Sequence, residues 1–365
     1  MTLELRQGDV AAFFDAPFNA YRPSEGYVSP LRSDIVRMLD RAKNPLWIAG
    51  NPFAFWSAHR GGRPIGRIVA HVHRESNALH GAQRAQFGFF DCADDADAAR
   101  LLLDAATDFA RVQGQRELVG NFNLTAMQQA GVQTDGFGVR GYTDMVVNPP
   151  HVPRLLEANG FERFFPMSTF ELDLATATAF KARPLDPASG FDFAPIAPAS
   201  FAARMEEARI VLNDGFAANP MFVPLTADEF QFQAGEMMSI LDPRLSSVLL
   251  HEGRPIGTII CIPDLNGFLA ATRSRIGLTT PYHYLRYRLR RRRAVIIFYS
   301  IASDMHGQGV MGAMLARTVA ALRKARYERL GITWIADGNA ASLRQMERLG
   351  AKPLQKLHLY RKDLA

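Results

Sequence analysis

The pentapeptide Gly-Arg-Pro-Ile-Gly occurs twice in the chain, starting at Gly62 and again at Gly253, 191 residues further on. Each copy follows a short alternating run, Phe55-Trp-Ser-Ala-His and Val248-Leu-Leu-His, so each reads as a β-hairpin whose turn holds the glycines. A second pair of landmarks lies downstream. Leu155-Leu-Glu-Ala-Asn-Gly-Phe and Gln345-Met-Glu-Arg-Leu-Gly-Ala both close a helical pattern on glycine, Gly160 and Gly350, 190 residues apart. Two landmarks at nearly one offset are the signature of an internal duplication. Between them both halves offer the same succession: a strand (Gln86 to Phe90; Val295 to Ala302), an amphipathic helix (Ala96 to Gln113; Met311 to Tyr327), a second strand (Glu117 to Phe122; Gly331 to Ala336) and an asparagine (Asn123; Asn339).

The expected fold is therefore α/β, in two tandem copies, each a mixed twisted sheet flanked by helices. Residues 1–173 form the first, 192–365 the second, and 174–191, with Ala, Thr, Pro and Gly and few large apolar residues, reads as the connector. A length of 365 residues, at about 150 per domain, agrees with two units. Insertions distinguish the halves: Leu124 to Pro153 enlarges the first after its strand, and Leu265 to Arg293 enlarges the second before its strand. A chain that is 48% hydrophobic and 21% charged is neither disordered nor a disulfide-stapled miniprotein. Cys92 and Cys261 stand alone, without CxxC or Cys/His spacing, so neither a metal centre nor a disulfide framework is expected. The N-terminal residues lack the basic head and apolar run of a signal peptide, and no stretch approaches the ~18 apolar residues of a membrane span. The expected location is cytoplasmic, with peripheral contact at the inner membrane face left open.

The richest local signal follows the strand Ala294-Val-Ile-Ile-Phe-Tyr-Ser-Ile-Ala. That strand runs into Ser303-Asp-Met-His-Gly-Gln-Gly-Val-Met-Gly and directly into the helix Ala313-Met-Leu-Ala-Arg. Glycines at 307, 309 and 312 let successive backbone N–H groups converge at the positive end of a helix, an arrangement suited to a pyrophosphate and equally to a tight strand-to-helix turn. The first half has no such loop. Between Phe90 and Ala96 it places Asp91, Asp94 and Asp95, with Asp97 just inside the helix, carboxylates that cap N–H groups and repel phosphate.

The order hairpin, strand, glycine loop, helix, strand ending in Asn339, and helix closing on Leu349-Gly350 resembles the GNAT acyltransferase superfamily. Pro263-Asp-Leu-Asn, His306-Gly-Gln-Gly, Trp334-Ile-Ala-Asp-Gly-Asn, Leu359-Tyr-Arg-Lys, Phe87-Gly-Phe-Phe-Asp and Thr134-Asp-Gly-Phe look like the large bacterial tandem members. The resemblance implies an acyl-CoA-dependent N-acyltransferase, with acyl-CoA as substrate and no metal. It places the pyrophosphate on an Arg/Gln-x-x-Gly-x-Gly/Ala loop and the thioester against the splayed end of the preceding strand. Here His306 stands at the Arg/Gln position, Gly309 matches, and Met311 stands where Gly or Ala is usual, with Gly312 one place later. The CoA contacts so implied are Ile301, Ala302, Ser303, His306, Gly307, Gln308, Gly309, Val310, Met311, Gly312 and Asn339. The tyrosine that members often use as general acid is replaced by Met346.

N-acylation needs a neutral amine, a stabilised oxyanion and a leaving thiolate. Backbone N–H groups of Tyr299 to Ala302 are candidates for the oxyanion. His306, Asp264, Asp337 and, through water, Tyr299 are candidates for moving protons. Each has a second reading: His306 as a phosphate or capping donor, Asp264 and Asp337 as turn formers, and Asn339 as a helix cap that also reaches the pantetheine arm. Asp135 and Tyr142 of the first half are candidates for the acceptor pocket, or simply loop residues.

Six arginines fall within 286–293, interleaved with Tyr282, Tyr284 and Tyr287, and their number equals the net charge of +6. The run fits a solvated helix end, nucleic acid, anionic lipid headgroups or the CoA 3′-phosphate. Coupled with the apolar stretch 262–278 it resembles bacterial ceramide-forming N-acyltransferases, which implies a long-chain, sphingoid-type amine acceptor. A fold that binds acyl-CoA or lipid without catalysis is the alternative.

Overall fold

The computed structural model describes residues 2–177, 185–234 and 240–364, which divide into two compact units. In chain order the elements up to the middle are β1 (Leu3–Gln7), α1 (Val10–Ala20), α2 (Arg32–Leu39), α3 (Pro45–Ile48), β2 (Phe53–Arg60), β3 (Arg63–His71), α4 (Arg74–His80), β4 (Arg84–Cys92), α5 (Ala96–Val112), β5 (Glu117–Gly120), β6 (Val132–Asp135), α6 (His151–Ala158) and β7 (Glu162–Asp173). There follow β8 (Phe191–Pro195), α7 (Phe201–Gly215), α8 (Ala227–Ala234), β9 (Ser247–His251), β10 (Arg254–Pro263), α9 (Asn266–Thr272), α10 (Thr280–Arg290), β11 (Arg293–Ile301), α11 (Val310–Lys324), β12 (Arg329–Ala336), α12 (Ala340–Leu349) and β13 (Lys352–Asp363). No helix among the described residues is long and apolar enough to cross a membrane.

The repeated pentapeptide forms the turn and first residues of two hairpins, β2–β3 and β9–β10. Its last glycine explains why the motif recurs. A Cβ on Gly66 would lie 2.8 Å from Leu102 Cδ1 of α5, and one on Gly257 would lie 2.5 Å from Met314 Sδ of α11. In each unit glycine lets the long helix press onto the hairpin, and apolar side chains of that helix fill the core beneath: Leu102, Leu103 and Ala106 in the first, Met314, Leu315 and Leu322 in the second. The central pairing is also repeated. β4 and β5 are parallel over four positions, Arg84↔Glu117 to Phe87↔Gly120, and β11 and β12 over four, Arg293↔Arg329 to Ile296↔Ile332.

The expected boundaries do not coincide with the compact units. The first unit comprises 1–168, 266–285 and 355–365, and the second 169–265 and 286–354. Two long strands of matched length, β7 and β13, account for part of the difference. β13 closes the second repeat in sequence, yet it pairs with β5 (Tyr360↔Gly120) and β6 (Lys356↔Asp135) in the first unit's sheet. From Thr169 onward β7 belongs to the second unit, beside β12, where Arg329 pairs with Glu171 and Asp173. The anticipated connector does not begin as a free linker. Leu174 and Ala177 are buried in the second unit's core, and Arg323 donates to both their carbonyls. Residues 178–184 of that connector lie outside the described residues. The insertion 266–285 from the second half packs with the first unit, where the Ser274 hydroxyl donates to Ser29 O at 2.6 Å.

Candidate functional site

The second unit ends its β11–β12 ladder early. Pairing stops at Ile296/Ile332, although β11 runs to Ile301 and β12 to Ala336. At the fork the Thr333 hydroxyl donates to Ile297 O at 2.9 Å. Beyond it β11 passes through a single 3₁₀ turn, Ser303–Met305, into the glycine loop and α11. Gly307 and Gly309 have φ of 79° and 80°, the left-handed region in which a side chain is strained, and around both there is open space. Gly309 is the N-cap of α11 and no side chain caps it. Among the described residues, the backbone N–H groups of 307–312 donate no hydrogen bond within the protein. Unbonded amides at the positive end of a helix of 15 residues make a nest suited to a doubly charged anion.

The surroundings hold this nest in place. The Asp214 carboxylate at the end of α7 accepts from Ser303 N at 2.6 Å and from the Ser303 hydroxyl at 3.0 Å. Arg254, the arginine of the repeated pentapeptide, pairs with Asp304 at 2.6 Å. Gly215 permits α7 to meet β11, because a Cβ there would lie 1.9 Å from Ser300 Oγ. Sequence reading passed over Asp214 because Asn213-Asp214-Gly215 looks only like a helix ending; its partner is 89 residues away.

Residues 218–351, which include the fork and the nest, match the Acetyltransferase (GNAT) family. The family match covers this segment, most of which lies in the second unit. It is 24% identical over 377 residues to protein YghO of Escherichia coli, covering 99% of this chain and 94% of that one. It is 22% identical over 364 residues to the bacterial ceramide synthase of Caulobacter vibrioides, covering 96% and 93%. Among solved structures, a tandem GNAT protein from the clavulanic acid biosynthesis pathway superposes with a TM-score of 0.61 at 14% identity, over 100% of this chain and 99% of that one. A GCN5-related N-acetyltransferase from Sphaerobacter thermophilus superposes at 0.56 and 11% identity, over 99% and 96%. These structures share the fold, and two GNAT-like copies account for the whole chain.

Seen as a GNAT site, the expected residues separate into groups. Gly307, Gln308, Gly309, Val310, Met311 and Gly312 present backbone amides, while the Val310 and Met311 side chains are buried in the core. Met311 thus serves packing and its amide remains in the nest. His306 is exposed at the entry to the loop. Ser303 N–H is taken by Asp214, and Ala302 N–H by Ile256 O at 2.8 Å, so neither amide is available to a ligand. Ile301 is the last residue of β11 and pairs with Gly257. Asn339 is the N-cap of α12, its side-chain oxygen accepting from Ser342 N at 3.0 Å. Asp337 stands in the turn just before it. Asp264 is buried at the end of β10, 3.3 Å from Arg293 Nε, so its carboxylate faces a guanidinium. Tyr299, on the part of β11 that still pairs with β10 but no longer with β12, has its phenol pushed up to about 12 by burial, with the Ser342 hydroxyl beside it opposing the shift. Met346, at the family's tyrosine position, is a core residue.

The first unit has a cavity at the corresponding fork, lined among others by Arg67, Asp91, Asn121, Asn123, Gln129 and Asn148. Arg67 is fully buried; its Nε donates to Asp91 at 2.8 Å and its Nη2 to Tyr27 at 2.8 Å, while Tyr21 donates to the other Asp91 oxygen at 2.8 Å. Asp135 and Tyr142 are absent from that lining. Asp135 accepts from Gly136 N in a turn, and Tyr142 lies in the core. Asp144 was not anticipated. It has a φ of 69°, and burial pushes its carboxyl up to about 7.

Proposed function

We propose that the chain is an acyl-CoA-dependent N-acyltransferase whose acyl donor binds the second unit. The observation that carries the reading is the set of unbonded amides at 307–312, at the foot of a strand fork, in a family of acyltransferases. The diphosphate sits in the nest, and the pantetheine arm runs along β11 beyond Ile296, with Asn339 at its side. The attacking amine, once neutral, adds to the thioester carbonyl. The tetrahedral intermediate then expels the CoA thiolate, which takes a proton as the amide forms. Among His306, Asp264, Tyr299 and Asp337, Tyr299 is suited to give that proton, because a phenol near 12 keeps its proton at neutral pH. The same value makes it a poor base. His306, exposed at the entry to the loop, is the residue placed to relay the ammonium proton to water.

For the acceptor we infer a long-chain amine of sphingoid type, met at a membrane surface. Similarity over nearly the whole chain to the Caulobacter ceramide synthase supports this reading, as do the arginines of α10. Replacement of the family tyrosine by Met346 favours a second reading, a GNAT fold that binds acyl-CoA or lipid without turning it over. Thiol release from acyl-CoAs of increasing chain length, measured against a panel of short and long amines, decides between them. Amine-dependent release with a preference for long chains is expected. Tight acyl-CoA binding with no release for any amine would leave the second reading.

A further inference from the structure

Helix α10 is oriented against the usual logic of an amphipathic helix. Tyr282, Leu285 and Leu289 fall within an arc of about 60° at roughly 100° per residue, a continuous apolar stripe. Such a stripe normally faces a core. Here it faces outward: Tyr282 is 62%, Leu285 59% and Leu289 76% exposed, while His283, Tyr284 and Tyr287 of the opposite arc are half-buried. Just ahead of the helix Ile276 and Leu278 are exposed as well. Five of the large apolar side chains that the described residues leave in water thus lie within 276–289.

The charges are sorted in the same way. Arg291 pairs with Asp242, Arg292 with Glu328 and Arg293 with Asp264. Arg286, Arg288 and Arg290 form no ion pair among the described residues. By helical position Arg286 and Arg290 flank one side of the apolar stripe and Arg288 the other. The base of the segment is fixed. Arg32 N donates to Ser274 O at 2.8 Å, Arg275 pairs with Asp15 and covers the Phe14 ring, and the Phe268 and Tyr284 rings meet edge to face.

We propose that this face, Ile276 and Leu278 with the outer stripe of α10 and its flanking Arg286, Arg288 and Arg290, docks the protein on an anionic phospholipid surface. Apolar side chains would enter the acyl boundary while guanidinium groups stay at the phosphate level, the arrangement that distinguishes an interfacial helix from a buried one. The apolar stripe between the arginines favours lipid over nucleic acid, whose backbone rewards cations but gives leucines nothing to bury against. The docking rests on the proposed reading only in supplying the surface from which a long-chain amine is drawn; it requires no acyl transfer.

The test is co-sedimentation of the full chain, without acyl-CoA, with phosphatidylcholine vesicles and with equimolar phosphatidylcholine–phosphatidylglycerol vesicles. Binding to the anionic vesicles, weakening as salt is raised, is expected. The Arg286→Gln/Arg288→Gln/Arg290→Gln variant should bind roughly a hundredfold more weakly. Leu285→Asp/Leu289→Asp should lose at least about tenfold, with thermal unfolding unchanged because both positions are solvent-facing. No binding to anionic vesicles at low salt would overturn the proposal, as would binding indifferent to both variants. A dimer in solution that the leucine changes dissolve, with vesicles ignored, would assign the face to a second copy of the chain. Retention of duplex DNA that survives the leucine changes, again without vesicle binding, would assign it to nucleic acid. Acyl transfer to a detergent-solubilised amine is measured separately, so that failure of docking and failure of catalysis are distinguished.

Discussion

The two units share a ladder of four parallel pairs, and they treat the fifth position in opposite ways. In the first unit the position after Phe87↔Gly120 is held by Gly88 and Asn121; in the second, the position after Ile296↔Ile332 is held by Ile297 and Thr333. A Cβ on Gly88 would lie 1.5 Å from Phe122 O, and one on Gly120 would lie 2.3 Å from Phe87 O. The glycines let the chain after β5 fold back across β4, where the Asn121 and Asn123 side chains accept from Phe90 N and Phe89 N. The helix ends differ in the same sense. Asp95, held by Arg60 at 2.6 Å, caps α5, while Gly309 leaves α11 uncapped. One duplicated fork has satisfied its amides with its own asparagines and an aspartate. The other leaves its helix-end amides without internal partners. In the proposed reading a site is made by withholding such partners, which glycine does and aspartate does not.

Closure of the first fork is the easiest half of this contrast to break. Gly88→Ala is expected to cost more than about 4 kcal/mol, since the clash is with backbone; Ile297→Ala, a truncation at the matching place, should cost about 1–3 kcal/mol. Denaturant unfolding of both variants checks the order, and equal losses would contradict the assigned roles of the two forks.

Next in size is Asp144. Its folded carboxyl titrates near 7 and the unfolded one near 3.8, so the folded state holds the extra proton and stability falls as pH rises through that window. Asp144→Asn removes this loss, by about 2–4 kcal/mol above pH 7, and an asparagine also tolerates a φ of 69°. Buried His71 has the opposite sign. Its imidazole is lowered to about 3, so its contribution is complete above the ordinary histidine range near 6.5 and is lost as pH falls from there toward 3. Melting temperature against pH for wild type and Asp144→Asn should therefore diverge above about pH 4. Superimposed curves would contradict the burial of that carboxyl.

Smaller again is Asn121→Ala, which deprives Phe90 N–H of its acceptor and should cost about 1–3 kcal/mol without altering CoA affinity. The smallest expected effect is Asp95→Ala, about 1 kcal/mol from the lost cap. Calorimetry of both variants with CoA checks that the first unit's fork has no part in binding it.

Much of this fold is legible in the residues. The glycine turns, the two long helices and the nest all rest on local pattern: positive φ, period and capping. The exchange of β7 and β13 is not legible, because an alternating strand has the same pattern in either sheet, and only long-range pairing such as Tyr360↔Gly120 decides its place. The same reason hides the sorting of the arginines. Arg291, Arg292 and Arg293 find Asp242, Glu328 and Asp264 through the fold, while the three before them on α10 stay in water. Asp264 looked like a catalytic candidate by its place at a strand end, and its pairing with Arg293 could not be read from spacing. The asparagines that close the first fork were visible as Asn121 and Asn123, but their acceptors' use depends on how closely Gly88 lets the chain approach.

The most direct measurement is CoA affinity by titration calorimetry for wild type, Gly309→Glu and Gly309→Ala. The alanine variant places a methyl in open space and carries only the strain of a φ of 80°, so it should fold, with a modest loss of stability, and still bind. Glutamate at the same place brings a carboxylate to the amides at 307–312 and should weaken CoA on the order of a hundredfold or more. Equal affinity in the glutamate variant and wild type would show that the diphosphate is held elsewhere, and the contrast between a closed and an open fork would no longer explain where the acyl donor binds.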